Sequence, residues 1–276
     1  MVHSKNKILL LVEDNKTEPN LMKRYAKLLE NEFKLEIISF ETNIYVLYQN
    51  IRLLNENFDM DSTSTIEVLK SILKERMLKL INNQNLEKLE TIKQQIKLLD
   101  DNYPYIYLLF DFEFQDNHYG FEEKKKVLIA LKKYFNDETE NGLLLISYPM
   151  IESFRDFNKK PLNDDYYERI IELEKINLYK SVVGKRGYNI NLSKYTLTDF
   201  EKITLQNILK INFLLKKQKN IPLYEDFIQI LQSNLILLSE IYHIEKEQKI
   251  YIVCCAMFVY ISYFGKKYYL KIVKLK

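Results

Sequence analysis

Cysteine is almost absent from this chain: of 276 residues only Cys254 and Cys255 carry a thiol, adjacent to each other inside an apolar run. Two neighbouring cysteines supply neither a spaced zinc motif nor a disulfide framework, and such usage is that of a reducing cytoplasm. The three histidines, His3, His118 and His243, have no metal-ligand spacing. Glycine-dependent motifs are missing as well. There is no Walker Gly-Lys-Thr loop, no dinucleotide glycine fingerprint and no Gly-x-Ser-x-Gly elbow, so ATP hydrolysis by this chain alone is not expected. No internal repeat or low-complexity tract is present, which argues against a solenoid or a flexible linker protein. No signal-peptide pattern follows Met1, and a cytoplasmic location is the expectation. The one membrane suspect, Ile250 to Phe264, falls short of the roughly 20 residues of a spanning helix and contains Tyr251, Tyr260 and Tyr263, which predicts a buried or interface helix and no membrane partner. The net charge of +3 is nearly balanced. Any binding of nucleic acid must therefore come from local Lys and Arg clusters.

What is present is an alternation of strand and helix signals over the first 150 residues, the pattern of an α/β domain built on a parallel sheet. Apolar runs predict strands at Lys7 to Val12, Leu35 to Phe40, Tyr105 to Phe110 and Leu143 to Ile146. Helical spacing predicts a helix from near Thr17 and another from Phe121 to Phe135. Between them, Asp61 to Asp100 carries a long helical pattern without Gly or Pro, a helical insertion that Ser62 or Thr63 could cap. After Pro149 apolar residues recur at helical spacing with few turn signals. The expected organisation is a domain over 1–155 with its insertion at about 61–100, followed by a mostly α-helical domain over 156–276.

Two of the strands end abruptly in carboxylates. Ile8 to Val12 runs into Glu13, with Glu18 at the opening of the next helix, and Tyr107 to Phe110 runs into Asp111 and Glu113. If the two strands are parallel neighbours, these acids meet at the carboxyl edge of the sheet, where open α/β folds build their sites. Like charges converging there need a counter-ion, and hard oxygen ligands suit Mg²⁺ or Mn²⁺. Each acid also has an ordinary reading, since polar residues commonly follow strands and acids favour helix N-termini.

The same segments resemble a known family. Leu10-Leu11-Val12-Glu13-Asp14-Asn15-Lys16-Thr17-Glu18-Pro19-Asn20 is similar to the first motif of Toprim domains, the topoisomerase-primase catalytic module, in the version found in RloB-like and OLD-like proteins. Asp111-Phe112-Glu113 resembles the Asp-x-Asp motif of that fold, and Ser147 to Phe154 resembles the Asn-Pro-x-x-Glu segment that follows its fourth strand. The resemblance covers about the first 155 residues. Asp14 stands where the family usually has Gly, and Glu113 replaces the usual second Asp. What the resemblance implies is a Toprim/Rossmann-like fold and a Mg²⁺-dependent nuclease acting on DNA or RNA, tRNA included, as an effector of anti-phage defence or abortive infection. In such a centre Glu13, Asp111 and Glu113 are the catalytic acids, and Glu13, Glu18, Asp111, Glu113 and Glu152 form the metal-ligating set. Glu152 reads equally as an acid at a helix N-terminus. An ATPase partner protein fits the absence of an ATP site.

Among basic residues, Lys185 and Arg186 lie in a glycine-flanked segment, Gly184-Lys185-Arg186-Gly187, that is either a phosphate-binding loop or a solvated connection. Lys124-Lys125-Lys126 reads as a solvated face. The competing functional reading is a non-catalytic interaction subunit that keeps the α/β scaffold and uses its helical half for homo-oligomerisation or partner binding.

Overall fold

A computed structural model describes residues 7–29, 33–54, 64–82, 86–117, 119–157, 167, 169–188 and 191–275. Ser62, Thr63 and His118 lie outside the described residues.

The chain begins with β1 (Lys7–Val12), buried over its last five residues, and α1 (Thr17–Leu29), whose Leu21, Met22 and Tyr25 face the core. Next come β2 (Lys34–Ser39) and α2 (Ile44–Leu54), then the two helices of the insertion, α3 (Thr65–Asn82) and α4 (Leu86–Leu98). β3 (Tyr105–Asp111), α5 (Phe121–Tyr134), the two-residue β4 (Asn136–Asp137) and β5 (Gly142–Ser147) complete the first half. These strands form one five-stranded sheet in the order β2-β1-β3-β5-β4, parallel except for the antiparallel edge strand β4. The unbroken apolar runs of β1, β3 and β5 follow from their central positions, where parallel strands are covered on both faces. β2 lies at the edge and is correspondingly only half-buried.

The register brings the strand ends level. Val12 pairs with Ser39 on one side and with Leu109 on the other, and Asp111 pairs with Ser147. Because β2 flanks β1 on one side and β3 on the other, the winding reverses between β1 and β3. That reversal opens a crevice at the carboxyl ends of these two strands.

The second half is mostly helical, as its spacing predicts. It comprises a 3-10 turn (Ile151–Arg155), β6 (Ile170–Glu172), a further 3-10 turn (Leu173–Leu178), α6 (Tyr179–Arg186), α7 (Leu197–Lys216), α8 (Tyr224–Gln232), α9 (Leu235–Glu247), β7 (Lys249–Tyr251) and α10 (Val259–Val273). α7 starts from a capping box: Asp199 N–H donates to Thr196 Oγ1, and Thr196 N–H donates to Asp199 Oδ2 at 2.9 Å. It runs through the centre of this half, buried on nearly every side. The two halves share one hydrophobic core. Tyr25 Oη bonds to Tyr268 Oη at 2.7 Å, and Tyr260 Oη donates to the Met22 carbonyl at 2.9 Å.

Three expectations are corrected. Ile250 to Phe264 is mostly buried, but it is not a single helix: it enters as β7 against β6, bridges Val253 to Tyr148, passes through a 3-10 turn (Cys255–Phe258) and only then becomes α10. Short apolar runs do not distinguish strand from buried helix by periodicity. Gly184, Lys185 and Arg186 lie within α6 and not in a free loop, and the Arg186 side chain is outside the described residues. Lys124 is buried, not solvated, because its ammonium is drawn to the backbone carbonyls of Phe114 (2.6 Å) and Asp116. Among the described residues no helix is long and apolar enough to cross a membrane.

Candidate active site

Glu13 leaves β1 and Asp111 closes β3, so the two acids meet at the point where the winding reverses. The Asp111 backbone N–H donates to Glu13 Oε2 at 3.2 Å. The Asp111 carboxylate also accepts the Ile151 backbone N–H at 2.7 Å through Oδ1, which fastens the 3-10 turn after β5 to the end of β3. That turn carries Glu152. Glu18 is buried in the first turn of α1.

Glu113 sits two residues beyond Asp111 in a turn and not in extended backbone. Its φ is +45°, in the left-handed region, and its carboxylate Oε2 accepts from Gln115 Nε2 at 3.1 Å. The loop that holds it is tied down from two sides: Tyr45 Oη donates to the Phe112 carbonyl at 3.2 Å, and Asn43 Nδ2 donates to Asp116 Oδ2 at 2.6 Å.

The electrostatics are those of crowded, desolvated carboxyls. Burial raises the pKa of Asp111 well above the usual carboxylate range, and the charges of Glu13, Glu18, Glu152 and Glu113 raise it further. Glu13 is pushed up to about 8, first by burial and then by Glu113, against the Asp111 amide and the charge of Lys180. Glu18 is pushed up to about 9 by burial and by Asp14. Glu113 is raised by burial and Asp116, against the opposing pull of Lys180 and Lys124.

Asp14 behaves oppositely. Burial disfavours its charge, but a hydrogen bond from Glu18 and the N–H groups of Lys16 (2.5 Å) and Thr17 (2.7 Å) outweigh that and hold its pKa low. Asp14 is thus an ionised cap for α1 and shares a proton with Glu18. The turn after Glu13 is made without a positive φ at Asp14 or Asn15.

A cation paired with this cluster is Lys180, in the first turn of α6, whose Nζ lies 3.0 Å from Glu152 Oε1. Glu152 and Asp111 hold its pKa up against the effect of burial. No motif in Leu178-Tyr179-Lys180 marks this residue, because its position depends on how α6 packs on the turn carrying Glu152. Lys185 is exposed on the same helix. At about 100° per residue it sits on a different face from Lys180, so it is not brought to the acids by that helix.

Two depressions open beside the N-terminus of α1. One, of about 390 Å³, is lined by Glu13, Asp14, Asn15, Glu41, Thr42 and Asn43. The other, of about 440 Å³, is lined by Lys16, Thr17, Asn20, Arg155 and Asn191 among others. Glu13 is therefore open to a ligand while Asp111 is enclosed.

The donor set is entirely carboxylate oxygen, and Glu18 Oε2 and Glu152 Oε2 are buried without a hydrogen-bond partner. Unsatisfied, like-charged oxygens of this kind fit a hard divalent cation. Among the described residues, however, no three His, Cys, Asp or Glu side chains stand grouped closely enough to hold a metal ion as they are oriented. No family model matches the chain, and neither does any curated protein or solved structure.

Proposed function

We propose that the carboxyl edge of β1 and β3 is a Toprim-type centre that cleaves phosphodiester bonds in DNA or RNA with the help of Mg²⁺ or Mn²⁺. The observation that supports this reading most is the meeting of Glu13 and Asp111 at the reversal of winding, with Glu18, Glu113 and Glu152 near enough to raise the Asp111 pKa. Glu13, Asp111 and Glu113 would hold the ion, with Glu18 and Glu152 completing the ring. Bound there, a divalent cation supplies counter-charge and lowers the pKa of a water.

The chain's own groups do the rest. Where it is not itself a ligand, Glu13 lines the open depression and is placed to exchange a proton with the attacking water, and with its pKa near 8 it becomes a base only as the pH rises towards that value. Lys180 faces the acids with a fully charged ammonium and offsets the negative charge that builds on a phosphate in the transition state. Asp111 positions Glu13 through its amide and the Glu152 turn through its carboxylate. The defence role belongs to this reading through the Toprim resemblance alone, the cytoplasmic setting through the cysteine usage and the N-terminal pattern, and an ATPase partner through the lack of an ATP-site motif.

One observation favours the alternative, a non-catalytic subunit on the same scaffold: no three acids share a single point as the side chains stand. Incubating the protein with Mg²⁺ or Mn²⁺ and labelled single-stranded DNA, duplex DNA and tRNA separates the two. The nuclease reading expects cleavage that is lost in Asp111→Ala and Glu13→Ala. Absence of cleavage of every substrate by the wild type favours the binding subunit.

A further inference from the structure

The helical insertion is more basic than the chain around it: α3 and α4 carry seven Lys or Arg against four Asp or Glu. Between these helices and the end of β2 lies a depression of about 370 Å³, lined among others by Ser39, Glu41, Arg76, Lys79, Lys88 and Gln95. Its floor is well anchored, since Gln95 Nε2 donates to the Ser39 carbonyl at 3.2 Å.

Arg76 is the informative residue. Its guanidinium is half-buried, donates to the Phe40 carbonyl and lies 5.5 Å over the Phe40 ring. Among the described residues no carboxylate lies within ion-pair distance of it, although the pocket desolvates it. One carbonyl engages one of the five N–H donors of a guanidinium, and the planar fork that remains matches two oxygens of a phosphate. Lys79 and Lys88 stand exposed at the rim, point charges of the kind that neutralise neighbouring phosphates. Among the described lining residues the one acid, Glu41, is already engaged: its Oε1 accepts from Asn15 Nδ2 at 3.0 Å, and its Oε2 lies 4.0 Å from Lys88 Nζ.

Glu41 also lines the depression that contains Glu13 and Asp14. Glu41 thus lines both depressions, which meet at that residue.

We propose that the pocket of Arg76, Lys79 and Lys88 binds a phosphate group, as a flanking phosphate of a polynucleotide whose scissile bond lies at the acidic edge. The substrate class rests on the phosphodiesterase reading above, while the pocket itself is tested by binding. The full chain carrying Asp111→Asn, in EDTA, is titrated against a short fluorescent single-stranded oligonucleotide across a range of salt, and separately against inorganic phosphate. Arg76→Ala and the exposed double variant Lys79→Glu/Lys88→Glu are compared with it, and thermal unfolding verifies that each is folded. Arg76→Lys keeps the charge and removes the fork.

The expected result is binding that weakens by about tenfold or more in the double variant, with a salt slope smaller by roughly one to two. Arg76→Lys is expected to bind less well than the parent and better than Arg76→Ala. Oligonucleotide binding with this dependence identifies a polynucleotide phosphate, and dependence in the inorganic phosphate arm alone identifies a free phosphate. Absence of binding in both arms, or affinities unchanged in every variant, overturns the proposal. If the wild type cleaves no nucleic acid but pocket-dependent binding persists, the phosphodiesterase reading falls and the pocket stands. If cleavage occurs and the pocket variants bind normally, the pocket alone falls.

Discussion

The backbone N–H of Asp111 points across the gap between two parallel strands and donates to Glu13 Oε2 at 3.2 Å. Two residues 98 positions apart in sequence are thereby fixed to each other, and the amide opposes in part the rise in pKa that burial and Glu113 impose on Glu13. Asp111 itself has no such relief, because the groups around it are mostly further acids. The edge is strained electrostatically, and that strain has measurable consequences.

Removing one negative charge should make the metal-free protein more stable and less active. Asp111→Asn keeps an oxygen for the Ile151 amide and relieves the repulsion, so its Tm at pH 8 in EDTA is expected to exceed that of the wild type. Its nuclease activity is expected to fall by about 100-fold or more, the scale on which loss of a charge-stabilising group acts. A lower Tm together with full activity would contradict this.

Stability should depend on pH with a definite sign. Glu13 and Glu18 rise from an ordinary 4.5 to about 8 and about 9 in the folded state, so between those limits the folded chain binds more protons than the unfolded one. The stabilisation is complete below about pH 4.5 and is lost as pH rises through 8 and 9. Thermal unfolding of the metal-free protein from pH 5.5 to pH 9 is expected to give a falling Tm, with a shallower fall in Glu18→Gln.

Asp14→Ala removes the cap of α1 and is expected to destabilise the protein by about 1 kcal/mol, whereas Asp14→Asn retains most of that interaction. The alanine variant also frees Glu18 from its hydrogen-bonding partner, so the pH at which Glu18 titrates should drop. Chemical denaturation at two pH values measures both effects.

The elements around this edge were legible to different degrees. β1, β3 and β5 were readable because a central parallel strand must be apolar on both faces, and the approach of Glu13 to Asp111 follows from strand order once those runs are assigned. α2 is less legible, because Ile44-Tyr45-Val46-Leu47-Tyr48 is rich in β-branched and aromatic residues, although Asn43 supplies a cap, its Oδ1 accepting the Val46 N–H at 3.0 Å. The left-handed φ of Glu113 cannot be read from an Asp-Phe-Glu triplet. Lys180 was invisible because it joins the site only through the packing of α6 against the Glu152 turn.

Glycine 187 marks that packing. A Cβ at Gly187 would come within 2.5 Å of the Val183 carbonyl oxygen and 2.7 Å of the Arg155 carbonyl oxygen, both backbone atoms. Gly187→Ala is therefore expected to cost about 1–3 kcal/mol and to shift α6 against the 3-10 turn. Because Lys180 rides on α6, the same variant should lose activity in the direction of Lys180→Gln. A nuclease assay beside a thermal melt checks the pair.

The most direct measurement is Mn²⁺ binding at pH 8, followed by the loss of the free-ion electron paramagnetic resonance signal, in the wild type and in Asp111→Asn. If Glu13 and Asp111 share one divalent cation, the wild type takes up Mn²⁺ and the variant does not. Equal uptake by both proteins, or none by the wild type, would contradict a metal centre at this edge.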